Sequence, residues 1–225
     1  MRISIPSLLE FARGGGYDYA ALVSALSARF ERDPSPLWQV DWGLDSLPAH
    51  RMEATAFWID AYNAAAITGV IRNWPLQSVT DVRGYFSDPQ YDVFGRTLSL
   101  DDIEKKMLFG SDIDPRIHFA IVCASESCPP LHPEPFQSAS DLDSLLDVLA
   151  GRLVNDTTYV RFDPEEGVVH LSKLFDWYAD HFASTHGSVL GFIVHYHHDG
   201  ERIAGRSWKK RFVTYDWSLN QRPRE

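Results

Sequence analysis

One long helical segment constrains the fold of this 225-residue chain more than any other feature. Residues Ala49 to Trp74 are rich in alanine and other good helix formers, and Pro75 stops the pattern. Asn63 lies in the middle of the segment, where an amide side chain is unfavourable unless it has a specific partner. The sequence therefore predicts a long core helix that carries a polar group with a task.

Short β-patterns alternate with further helical patterns along the rest of the chain. Two hairpins are predicted, one turning near Gly95 and one crossing Asp163 to Gly167. Ile117 to Cys123 is a nearly continuous apolar run, typical of a strand buried on both faces. The sequence thus predicts an α+β fold, a single compact domain whose helices pack with short antiparallel hairpins and one buried central strand.

No linker or repeat divides the chain, so its organisation follows from the helical patterns. We expect an N-terminal helical extension over residues 1–48, a core domain over residues 49–220 and a polar tail over residues 221–225.

The bulk composition excludes several classes of protein. Hydrophobic residues make up 44% of the chain, enough for a sizeable core, and the formal net charge is −10. A broad acidic surface repels phosphate backbones, which argues against nucleic acid as a partner. No apolar segment approaches the roughly 20 residues of a membrane span, and no signal peptide is evident. We therefore expect a cytoplasmic protein, no membrane partner and two reduced cysteines.

The clearest chemical signal is the clustering of thiol and imidazole groups. Both cysteines of the chain, Cys123 and Cys128, lie five residues apart, and His118 precedes the first by another five. These are the side chains that proteins most easily tune to react near neutral pH. The cluster predicts a site without naming a substrate.

Strand alternation suggests which cysteine reacts. In a regular strand Cys123 points away from His118, whereas Cys128 lies beyond a turn that can fold back. Pro129 follows Cys128, which would make Cys128 the N-cap of a helix and depress the pKa of its thiol. We therefore assign Cys128 as the nucleophile and His118 as the base, with Glu104 or Asn63 orienting the imidazole.

Substrate binding is assigned to residues around the cysteines. The turn that contains Ser125 and Ser127 offers backbone amides as oxyanion donors. Arg116 has two readings, either an ion pair that fixes the turn before the strand or a contact to an anionic substrate.

Other readings of the cysteines stay open. They can be small packing residues, and a Cys123–Cys128 disulfide would form in an oxidising compartment and remove the nucleophile. A zinc site with His118 and His132 fits poorly, because the ligand spacings are wider than usual.

The predicted function is a thiol-dependent hydrolase or acyl transferase acting on a peptide-like or amide substrate. The alternatives are a non-catalytic domain that binds a small molecule or peptide in the same cleft, and a structural scaffold. No phosphate-binding loop or dinucleotide motif occurs, so we expect no cofactor and no metal. The sequence does not address the oligomeric state.

Five spaced blocks resemble the family known as the domain of unknown function 547. They are Phe57–Ala64, Leu98–Glu104, Asp114–Leu131, Leu171–Tyr178 and Tyr215–Asn220. The third block is similar to the family pattern D-P-R-x-H-F-A-x-x-C-x-S-x-S-C-P-P-L. The resemblance implies a compact domain but no activity.

This chain departs from the family pattern at four positions. Asp60 and Val122 stand where the family usually has Asn, and Lys105 stands where a His is common. His181 stands where an Asp is common. The Lys105 difference argues against a scheme with a second histidine beside Glu104.

Overall fold

The computed structural model describes residues 2–13, 16–30, 39–110 and 113–222. They group into two compact units. The first unit comprises Met1–Gly110, Ile121–Leu142 and Trp217–Glu225. The second unit comprises Ser111–Ala120 and Asp143–Asp216.

The first unit is built from helices with small two-stranded sheets. Its elements are β1 (Arg2–Ser4), α1 (Ile5–Leu9), β2 (Ala12–Arg13), β3 (Gly16–Tyr17), α2 (Tyr19–Phe30), β4 (Gln39–Asp41), α3 (Arg51–Arg72), β5 (Tyr91–Val93), β6 (Arg96–Leu98) and α4 (Leu100–Asp102). β1 pairs with β4 in parallel, whereas β2–β3 and β5–β6 are antiparallel. Single 3₁₀ turns lie at Val79–Asp81 and Phe136–Ser138.

Helix α3 forms the core of this unit. Every residue from Ala56 to Ile71 is buried. A helix buried all round must satisfy its polar side chains within the protein. This requirement applies to Asp60, Asn63 and Thr68, which are 2%, 3% and 3% exposed.

The β5–β6 hairpin turns through Phe94 and Gly95, both with positive φ. Ser99 then caps α4 in a capping box with Asp102. The helix continues from Ile103 to Leu108 as a π-helix.

The chain returns to the first unit at its C-terminal end. Residues 217–222, which we call the C-terminal strap, lie beside the turn between the cysteines and beside the N-terminal segment. Ser125 bridges Leu219, and Tyr17 bridges Gln221. The strap therefore joins two segments that are far apart in sequence.

The second unit contains a three-stranded sheet and short helices. Its elements are α5 (Leu142–Val154, whose first residue belongs to the first unit), β7 (Val160–Asp163), β8 (Val168–Leu171), α6 (Leu174–Trp177), α7 (Ala179–His186), α8 (Val189–Tyr196), α9 (Gly200–Ala204) and β9 (Lys209–Phe212). β8 is central, antiparallel to β7 and parallel to β9. Phe119, Phe175, Phe182 and Phe192 pack as an aromatic core.

The α+β class and both hairpins predicted from the sequence are confirmed. The predicted buried central strand at Ile117–Cys123 is wrong. Pro115–Phe119 is a 3₁₀ helix, and no strand follows it up to Cys123. Asp114 accepts a hydrogen bond from the N–H of Arg116, and Pro115 occupies the first helical position, so local capping outweighs the apolar pattern.

The boundaries predicted at residues 48 and 220 stay a prediction. Residues 1, 14, 15, 31–38 and 223–225 of the predicted extension and tail lie outside the described residues. In the part of the chain that the structure describes, no helix is long and apolar enough to cross a membrane.

Candidate functional site

Cys123 and Cys128 form a disulfide that closes the turn between them. Their Cα atoms are 6.3 Å apart, within the range such a bond requires. Ala124, the first residue inside the loop, has a φ of 65°, a left-handed conformation that a side chain disfavours. The two thiols expected to be reduced are therefore joined, and neither sulfur is a nucleophile in this state.

The expectation that Cys128 caps a helix is wrong. No helix begins at Pro129, because the following Pro130 disfavours the helical conformation for the residue before it. Cys128 is also the more enclosed of the two, at 7% exposed, whereas Cys123 is half-buried. Access from solvent thus favours the sulfur of Cys123, which was not the cysteine assigned as the nucleophile.

The sulfur of Cys128 is surrounded by hydrogen-bond donors. The backbone N–H of Cys123 donates to Cys128 Sγ over 3.0 Å, and the Ser125 hydroxyl donates to it over 3.5 Å. The same hydroxyl oxygen lies 3.0 Å from Cys123 Sγ. Ser125 is fully buried, so these contacts are shielded from water. Such donors favour the thiolate when Cys128 is reduced.

Two of the turn amides proposed as oxyanion donors are engaged elsewhere. The N–H of Glu126 donates to the carbonyl of Ser218 over 2.7 Å. The N–H of Cys128 donates to the carbonyl of Ser125 over 3.1 Å. A substrate oxygen that approached either of these two amides would have to displace its present hydrogen bond.

Asn63 connects the core helix to the segment that enters this turn. Its Oδ1 accepts the backbone N–H of Val122 over 2.8 Å. Val122 directly precedes Cys123. Asn63 therefore has the partner that its mid-helix position predicted, and its role here is to hold backbone.

Glu104 lies in the π-helix that follows α4 and is 7% exposed. The hydroxyl of Tyr62 donates to Glu104 Oε2 over 3.3 Å. Because π-helical turns occur frequently at functional sites, this buried acid remains a candidate.

His118 belongs to the second unit and is 2% exposed. Its Nε2 lies 2.9 Å from Nδ1 of His181, and its ring packs 3.9 Å from the ring of Tyr178. Burial, reinforced by the neighbouring His181, lowers the pKa of His118 well below 6.5. The imidazole is therefore neutral at physiological pH and hydrogen-bonded to a second imidazole.

Arg116 is held by three carboxylates of its own unit. Its guanidinium contacts Asp114 at 2.7 Å, Asp143 at 2.6 Å and Asp147 at 2.7 Å. The hydrogen bonds that Arg116 donates, to Asp114 foremost, raise the pKa of Arg116 above its usual value. The ion-pair reading is what the structure shows, and a contact to substrate stays a prediction.

The residues assigned from the sequence divide between the two units. Asn63, Glu104, Cys123, Ser125, Ser127 and Cys128 belong to the first, and Arg116 and His118 to the second. The structure brings Ser125 to both sulfurs and Asn63 to the backbone beside Cys123. The assignment of His118 as the base of Cys128 stays a prediction.

The sequence reasoning gave no role in the candidate site to three residues that make contacts there. Tyr62 contacts Glu104, His181 contacts His118, and Asp60 accepts the backbone N–H groups of two residues that follow the cysteines. The available signal was the departure from the family pattern, because His181 and Asp60 both occupy positions where the family usually has another residue. Within the described residues, no group of three or more metal-ligating side chains is placed to hold a metal ion.

Comparison with known proteins identifies one family. Residues 46–152 match the model of DUF547, described as a protein of unknown function. The match includes α3, Glu104, His118 and both cysteines, whereas the blocks after residue 152 lie outside it. No curated protein and no solved structure matches the chain. Over residues 46–152, the chain is therefore similar to the DUF547 family.

Proposed function

We propose that the Cys123–Cys128 pair is a reaction centre for thiol–disulfide exchange with small-molecule or protein thiols. The observation that supports this proposal is that the two sulfurs differ in exposure and in hydrogen bonding. Cys123 is half-buried and can be approached, whereas Cys128 is enclosed and accepts hydrogen bonds from the Cys123 N–H and the Ser125 hydroxyl.

Exchange would proceed in two balanced steps. A thiolate R–S⁻ attacks Cys123 Sγ, forms a mixed disulfide with it and releases Cys128 as a thiolate. A second thiolate then attacks the external sulfur, which gives R–S–S–R and the reduced pair after Cys123 takes up a proton. The reverse sequence reduces a substrate disulfide and reforms the loop.

The two donors act on the sulfur that leaves. A leaving thiol departs faster when its pKa is lower, and hydrogen bonds to a thiolate lower that pKa. Because Ser125 is buried, its hydroxyl meets no competition from solvent. The Ser125 side chain is therefore the group whose removal should slow exchange.

Reduction by dithiothreitol, quenched with iodoacetamide and read by mass spectrometry, tests this proposal. We expect Ser125→Ala to slow opening of the disulfide by about fivefold, the effect of losing about 1 kcal/mol from a buried hydrogen bond. Ser87→Ala, which removes an exposed serine of the same unit, is the matched control. Equal rates in both variants would contradict the proposed role.

A mixed-disulfide trap provides the second test. With glutathione disulfide, Cys128→Ser should hold glutathione on Cys123 because the resolving sulfur is absent. Cys123→Ser should be modified more slowly because Cys128 is enclosed. Faster labelling of Cys128 would reverse the assignment of the attacked sulfur.

A thiol-dependent hydrolase or acyl transferase is the second candidate, favoured by the same donors around Cys128. After reduction, the Cys128 thiolate would attack an amide or ester carbonyl, expel the amine or alcohol, and leave a thioester that water or another nucleophile resolves. This candidate assigns three roles. His118 is the base, and Glu104 or Asn63 orients its imidazole. The substrate contacts are Ser125, Ser127 and Arg116.

Two cysteine variants distinguish the candidates. Under reducing conditions, hydrolysis of p-nitrophenyl acetate should survive Cys123→Ser and disappear in Cys128→Ser. Exchange requires both cysteines. If neither variant changes the rate of disulfide exchange or of p-nitrophenyl acetate hydrolysis, both catalytic candidates fail and the non-catalytic binding domain is the remaining candidate.

A further inference from the structure

A cleft in the second unit concentrates positive charge on an otherwise acidic protein. It encloses about 160 Å³ and is lined by side chains that include Arg161, Arg202, Arg206, His197, His198 and Trp208. No aspartate or glutamate is among the described residues that line it. The chain as a whole carries a net charge of −10, so this concentration of cations contrasts with the rest of the surface.

Two of the three arginines retain an uncompensated charge. Arg202 contacts Asp199 at 2.8 Å, which neutralises it. Arg206 donates to the carbonyl of Pro164 over 3.1 Å, and Arg161 is exposed on β7. Among the described residues, neither Arg161 nor Arg206 has a carboxylate partner. Both guanidinium groups can therefore pair with an external anion.

The wall of the cleft is aromatic and fixed in position. The indole N–H of Trp208 donates to the carbonyl of Ile203 over 3.0 Å, and its ring meets that of Phe162 edge-on at 4.7 Å. The guanidinium of Arg206 lies 5.3 Å from the Trp208 ring centre. A flat apolar group and an oxyanion could thus be held side by side.

His197 adds a neutral hydrogen-bond donor. Its Nδ1 accepts the backbone N–H of Asp199 over 3.0 Å, so the ring proton of the neutral form is on Nε2. Its ring also meets that of Phe162 edge-on. The cleft therefore combines two cations, a neutral N–H donor and an aromatic surface.

We propose that this cleft binds a small planar aromatic anion, whose ring packs against the Trp208 and Phe162 surface and whose phosphate or carboxylate group pairs with Arg161 and Arg206. The volume supports this class, because a cavity of about 150 Å³ accommodates one benzene ring. The proposal concerns the second unit alone and is independent of the cysteine chemistry.

Isothermal titration calorimetry of the full chain with phenyl phosphate, benzoate, inorganic phosphate and phenol tests the site. We expect saturable binding of at least one aromatic anion and weakening with added salt. Phenyl phosphate binding more tightly than benzoate identifies phosphate as the preferred anion, and the reverse identifies carboxylate. Phenol and inorganic phosphate should each bind more weakly than the better aromatic anion, because each lacks one of the two recognised parts.

Arginine variants locate the binding. Arg161→Gln and Arg206→Gln should each weaken the better ligand by about tenfold, the loss of a hydrogen bond to a charged group. Arg152→Gln, an exposed arginine of α5 that does not line the cleft, is the matched control and should retain the affinity. Because Arg206 contacts Trp208, thermal unfolding must first show that Arg206→Gln is folded. If that variant is unfolded, the affinity of Arg161→Gln alone tests the site.

No saturable heat with either aromatic anion would overturn the proposal. So would phenol binding as tightly as phenyl phosphate, or an equal loss of affinity in Arg161→Gln and Arg152→Gln.

Discussion

The side-chain oxygen of Asn63 accepts the backbone N–H of Val122 at 2.8 Å, which fixes the core helix to the residue that precedes Cys123. The bond is buried, since Asn63 is 3% exposed and Val122 2% exposed. The position of the cysteine turn thus depends on a helix that contains neither cysteine.

Replacing Asn63 by Ala should destabilise the protein by about 1–3 kcal/mol, because the buried N–H of Val122 loses its acceptor. Urea unfolding monitored by circular dichroism measures this loss. Asn73→Ala, at the exposed end of the same helix, is the control and should cost less. Equal losses in the two variants would contradict a special role for the buried bond.

Asp60 should make stability depend on pH. Burial raises its pKa from 3.8 to about 6, against the opposing hydrogen bonds from the backbone amides of Gln137 and Phe136. The folded state therefore binds the proton more tightly than the unfolded chain. Stability contributed by Asp60 is fully present below about pH 4 and is lost as the pH rises to about 6.

Asp60→Asn removes this titration. The difference in unfolding free energy between the native chain and the variant should change by about 3 kcal/mol between pH 4 and pH 7, in favour of the variant at the higher pH. Denaturant unfolding at several pH values gives the difference, in which other titrating groups cancel. Parallel profiles for the two proteins would show that Asp60 does not carry the shift.

His118 should stay neutral in the folded protein well below pH 6.5, since burial and His181 lower its pKa. Folding stability from this group is fully present above about pH 6.5 and declines as the pH falls, because the unfolded chain takes up the proton first. A proton NMR titration of the His118 ring tests the prediction. A midpoint at or above 6.5 would disprove it.

A substitution at His181 should change the pKa of His118. His181→Asp would place a carboxylate near Nε2 of His118, where the family pattern commonly has Asp, and should raise the pKa of His118. His181→Asn, which has nearly the same size and no charge, is the control. The charge explanation fails if both variants give the same midpoint.

The protein should be more stable with glycine than with the native alanine at position 124. Its positive φ disfavours any side chain, so Ala124→Gly should stabilise the protein by up to about 1 kcal/mol. Ala139→Gly, where φ is −67°, is the matched control and should be destabilising by about 0.5–1 kcal/mol. Thermal unfolding of both variants decides whether the backbone of the cysteine loop is strained.

The sequence was a good guide where a pattern is local. Helix α3 and the hairpin at Gly95 each follow from residues close together in the chain. The Ile117–Cys123 segment was misread because an apolar run does not distinguish a strand from a buried helical turn. There Asp114 and Pro115 decided the conformation.

The site was harder to predict because it depends on contacts between distant segments. Asn63 was identified as a polar residue in need of a partner, but its partner is a backbone group 59 positions away. The disulfide was one of several readings, since five-residue spacing also allows free thiols. The contact between His118 and His181 spans 63 positions and has no local signature.

The C-terminal strap has a consequence for how the chain folds during synthesis. The N–H of Asn220 donates to the carbonyl of Ala124, and the N–H of Tyr17 donates to the carbonyl of Asn220. Because synthesis runs from the N-terminus, these bonds cannot form until residue 220 has left the ribosome. All described segments of the second unit emerge before the strap. The cysteine loop therefore stays incompletely enclosed while about ninety further residues are synthesised. Its thiols are most accessible to cellular oxidants during this interval.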